Sequence, residues 1–209
     1  NPNIFLKEVS DSLKKGGKIF IDVPNLKEVI KLGGFGLFFH QHITYFTINS
    51  IRILLERNGF KITNYYEGKP NLFVEATKTK KIKKNKFKNK DNKILNKLSK
   101  QSIFMKDKAL GYFEDKKINN IVIFGSSALA TTLIGSLSKK QLSKVKLVVD
   151  NDTEKQNKYL CGSNFKISHP QKILNISYDL IFITSHFFSD QIITSLKSLG
   201  IDISKVKSI

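Results

Sequence analysis

Apolar positions recur at two different periods along this chain. In NPNIFLKEVSDSLKKGG, Ile4, Phe5, Val9 and Leu13 return at helical spacing, which predicts an amphipathic helix stopped by Gly16. KIFIDVPN then predicts a buried strand ending in a Pro-Asn turn. TINSIRILLERNGF predicts a second helix: Thr47 or Asn49 caps it, Ile48, Ile51 and Leu55 share a face, and Gly59 ends it. KITNYYEG and NLFVEATK, joined by a Lys-Pro turn, predict an antiparallel strand pair.

The pattern changes near residue 78. KTKKIKKNKFKNKDNKILNKLSK is dominated by lysine, yet Ile82, Phe87, Ile94, Leu98 and Phe104 are spaced broadly as a helix requires. We read a loop and then a long connecting helix, a solvated lysine-rich bridge in preference to a polyanion-binding arm. From about Asn119 strand and helix alternate. NIVIFG, KVKLVVDND and YDLIFIT read as strands, with KVKSI as a short final one. SSALATTLIGSLSK and SDQIITSLKSLG read as helices, the latter capped by Ser189 or Asp190 and stopped by Gly200. Such alternation predicts a parallel sheet with right-handed crossovers. The expected organisation is 1–77, a linker at 78–117, and a Rossmann-like domain at 118–209, all within the α/β class.

Composition narrows the options. The 209 residues are 40% hydrophobic and 25% charged, ordinary for a globular protein. The net charge of +19 invites a nucleic-acid reading, but Arg52 and Arg57 are the only arginines. A surface selected for phosphate and bases uses arginine's planar fork more heavily, so a nucleic-acid partner is not expected. No apolar run approaches the roughly 20 residues of a membrane span, so no membrane partner is expected. One cysteine, Cys161, excludes an internal disulfide and a cysteine-rich metal site, and fits a reducing cytoplasm. The chain opens on asparagine inside a helical pattern, as a piece of something longer would.

Two places carry candidate chemistry. In NIVIFGSSALA a strand runs into Gly125 and a helix start, and Asp150 closes the next strand. Helix-start amides can cradle phosphate and the acid can hold a ribose. Ser127 and Ala130 stand where further glycines of a dinucleotide fingerprint would be, so a Rossmann-like domain without a dinucleotide is expected. The second place is FFHQHITYF, behind the glycine-rich LGGFG, where His40 and His42 flank Gln41 among aromatic rings. On an extended segment i and i+2 point opposite ways, so one histidine at most faces a given cleft. Satisfied core histidines in an aromatic loop are one reading. A general base is the other, because imidazole beside rings suits proton removal near pH 7. No cysteine or carboxylate stands nearby at metal-ligand spacing, so no metal is expected in this chain.

The order of elements carries a resemblance. NPNIFLKEVSDSLKKGGKIFIDVPN resembles the late part of a class I S-adenosylmethionine methyltransferase domain. FFHQHITYFTINSIRILLERNGF is similar to the signature of bacterial sugar C-methyltransferases, which usually read Tyr-His-Glu-His, an aliphatic residue, then Ser-Tyr-Phe-Ser. VVDNDTEKQNKYLCGSNFKISHPQKI resembles that family's C-terminal domain. The resemblance implies the end of a methyltransferase sheet with an antiparallel strand pair, followed by a Rossmann-like parallel domain. It implies S-adenosylmethionine as cofactor, held by residues upstream, with zinc confined to an absent N-terminal domain. It implies a nucleotide-linked keto sugar as substrate, whose α-proton a base removes before methyl transfer. The base falls on His42, with Gln41 and His40 in support. Phe39, Tyr45, Asn71, Gly125 and Ser126 fall on the substrate side. Gln41 replaces the family's glutamate, Phe39 its tyrosine, and Gly68-Lys69-Pro70-Asn71 its His-Gly-Gly-Ser. The contrasting expectation is a catalytically silent Rossmann-like module that binds a nucleotide or sugar nucleotide.

Overall fold

The computed structural model describes residues 1–31, 33, 34, 36, 38, 42–79 and 92–208. It divides into two compact units, Asn1–Gly34 with His40–Gln101, and Phe35–Phe39 with Ser102–Ile209. Both are mixed α/β.

The first unit contains helix α1 (Pro2–Ser12), strand β1 (Lys18–Pro24), helices α2 (Leu26–Lys31) and α3 (Ile48–Arg57), and strands β2 (Phe60–Glu67) and β3 (Asn71–Lys78). The strands form an antiparallel sheet in the order β1-β3-β2. Leu6 of α1, Ile51 and Leu55 of α3, and Phe60, Leu72, Val74 and Ala76 of the sheet make its core. Side chains alternate across a strand, so Leu72, Val74 and Ala76 face the helices while Phe73 is turned away. The same alternation corrects the expected buried β1. Ile19, Ile21 and Val23 pack on the core, but Phe20 is 78% exposed on the opposite face. The α1 stripe also needs correction. Leu6 is its buried residue, and Ile4 and Phe5 are exposed, because the face is set by contact with α3 and the sheet.

Caps fix the helix ends. Thr47, not Asn49, caps α3: its Oγ1 accepts from the Ser50 amide, and Ser50 Oγ accepts from the Thr47 amide. The C-terminal carbonyls of α1 are capped from across the fold. Lys78 Nζ donates to the carbonyls of Ser10 and Leu13, a cation satisfying acceptors that no helix can satisfy internally.

The expected bridge falls partly on residues 80–91, including Ile82 and Phe87, which lie outside the described residues. Its helical part is α4 (Asn92–Glu114). Met105, Ala109 and Phe113 are its buried residues, while Phe104 is 61% exposed. The spacing of four from 105 to 109 to 113 sets the buried stripe.

The second unit continues with β4 (Ile121–Phe124), α5 (Ala128–Ser136), α6 (Lys139–Leu142), β5 (Val145–Val149), β6 (Ile167–Ser168), β7 (Leu180–Ile183), α7 (Ser189–Ser198) and β8 (Val206–Ser208). The five strands are parallel, in the order β6-β5-β4-β7-β8. All four residues of β4 are buried, as are all four of β7, which is what cover on both faces requires. Ile121, Ile123 and Phe182 join α4 and α5 on one face. Val122, Phe124, Ile181 and Ile183 join α7 on the other. Neither Ser189 nor Asp190 caps α7; its cap position is Phe188, and Ser189 Oγ donates instead to the His186 carbonyl. Gly36 is grouped with this unit. Its φ is +73°, and a Cβ there would lie 2.5 Å from Leu129 Cα, so the backbone approach needs glycine.

Candidate functional site

In the first unit three stretches meet at the carboxyl end of β1. Asn25, only 1% exposed, follows the strand. Its amide donates to the Pro70 carbonyl at 3.0 Å, and its Nδ2 donates to the Gly68 carbonyl at 3.3 Å. Its Oδ1 accepts from the Lys27 amide at 3.1 Å, which caps α2. On the other side, the Phe46 amide donates to the Pro24 carbonyl and the Leu26 amide to the Phe46 carbonyl. Asn25 therefore joins the residue 68–71 turn to the segment running from His42 into α3. Asn71 opens β3 directly opposite Pro24.

His42 and Tyr45 form an edge-on ring pair, centroids 6.1 Å apart and planes at 72°. His42 is solvent-exposed, and Ile43 beside it is 95% exposed. Phe39, His40 and Gln41 lie outside the described residues. Charge at this end is paired: Glu28, buried, meets Lys31 at 2.5 Å, and Lys27 meets Glu67 at 2.7 Å.

Asn25 is the residue that pattern reading missed. A signal was present: Asn25 precedes LKEVIK with Glu28 three positions on, the spacing of a helix N-terminus.

In the second unit β4 is the first strand, and later strands add on both of its sides, β5 on one and β7 on the other. That is the switch point at which parallel α/β sheets take ligands. Gly125 sits there at φ +104°, and a Cβ would come 3.0 Å from Ser185 Cβ. Several polar groups around it are spent within the protein. Ser126 donates to Asp150 Oδ2 from its amide at 2.7 Å and from its hydroxyl at 2.6 Å. Ser127 Oγ donates to the Thr184 carbonyl, and Thr184 Oγ1 donates to the Gly125 carbonyl. Partial burial pushes the Asp150 carboxyl up. Hydrogen bonds from Ser126 and the Asp152 amide, with Lys155 at 3.7 Å, outweigh it and hold the group below the usual aspartate range. The Ser126 amide and both serine hydroxyls are thereby committed within the protein.

Of the site residues read from the sequence, His42, Tyr45 and Asn71 thus lie in segments gathered at one sheet end of the first unit. Gly125 and Ser126 lie at the switch point of the second. Among the described residues no three His, Cys, Asp or Glu side chains group as metal ligands, and no helix is long and apolar enough to cross a membrane.

Two similarities bear on this geometry. Residues 115–207, within the parallel sheet unit, match the family described as C2185-like, N-terminal. A stretch of 61 residues is 34% identical to the C-methyltransferase NovU of Streptomyces niveus. That stretch covers 29% of this chain and 14% of NovU. The chain is methyltransferase-like over that stretch.

Proposed function

We propose that this chain is part of an S-adenosylmethionine-dependent C-methyltransferase acting on a nucleotide-linked keto sugar. The carrying observation is the 61-residue similarity to NovU. The convergence of the His42 segment and Asn71 on the end of β1 agrees with it. S-adenosylmethionine supplies an electrophilic methyl group to such enzymes, and on this reading residues upstream of this chain hold it.

This chain's share of the chemistry is proton removal. His42 takes the proton from the sugar carbon beside the carbonyl, and the C–H electron pair moves into the enolate. Tyr45 stands edge-on to the imidazole. A positioned acid–base group contributes roughly 10²–10⁴-fold.

The test is exchange of the substrate's α-proton in deuterated buffer without methyl donor, using the whole protein that carries this chain. His42→Ala should slow exchange by about two to four orders of magnitude. Exchange at the wild-type rate would remove this reading's base.

A further inference from the structure

We draw no further inference here: the strongest candidate, the exposed aromatic patch of Phe187 and Phe188 that follows β7 at the carboxyl edge of the parallel sheet, carries nothing because nothing in the structure shows what covers it.

Discussion

Asn25 Nδ2 donates to the carbonyl of Gly68, a residue 43 positions away, and this buried bond closes the end of the first sheet. Without it, the turn carrying Asn71 and the segment carrying His42 share fewer fixed points. Asn25→Ala leaves the buried Gly68 carbonyl unsatisfied and uncaps α2. The expected loss is about 1–3 kcal/mol for the unsatisfied carbonyl, measured by urea unfolding. Asn25→Asp keeps the cap acceptor but sets a carboxylate oxygen against the Gly68 carbonyl in a buried site, so near neutral pH it should cost at least as much as alanine.

Lys78 gives a second stability prediction. Its ammonium serves the last carbonyls of α1 from the end of β3. Lys78→Met keeps the stem and removes the donors. The expected cost is about 1–2 kcal/mol, since hydrogen bonds to charged groups contribute somewhat more than neutral ones. Faster proteolysis within residues 1–13 should accompany it.

Asp150 predicts a pH dependence with a definite sign. Its carboxyl is held below the usual range in the folded chain, so its contribution is present above the unfolded pKa of about 3.9. It is lost as pH falls through the folded value. Wild type should lose stability below about pH 4 more steeply than Asp150→Asn. Matching slopes from denaturant unfolding across that range would show that the Ser126 bonds do not favour the charged form.

The closed switch point predicts a negative binding result. Ser126 and Ser127 are committed to Asp150 and the Thr184 carbonyl. Calorimetry of this 209-residue chain with micromolar S-adenosylmethionine should show no heat of binding. Low-micromolar affinity would place the cofactor in the wrong part of the protein.

Much of this was legible from period alone. Alternation in NLFVEATK and the four-residue apolar runs IVIF and LIFI place β3, β4 and β7, since burial on one face or on two leaves different patterns. The exposure of Phe20 was not legible. Lys18 and Asp22 share its side of KIFIDVP, but the apolar Phe20 masks that alternation, and the placement of α1 and α3 decides which face is covered. The serine closure at Asp150 was half legible: the residues stood out, but a free phosphate cradle and a turn bonded to itself share one sequence pattern. The surroundings of His42 depend on a segment between elements, where neither period applies. Asn25 shows the limit most plainly, since its cap was written locally and its bond to Gly68 was not.

β4 belongs to two hydrophobic clusters at once, Ile121 and Ile123 to one, Val122 and Phe124 to the other. The two layers share one strand: alternate residues of β4 supply each, so loss of β4 removes the centre of both. The parallel sheet unit is therefore expected to open as a single cooperative body. A truncated Ile123→Ala or Val122→Ala side chain, though each touches only one layer, should lower one shared midpoint seen equally by probes on either side.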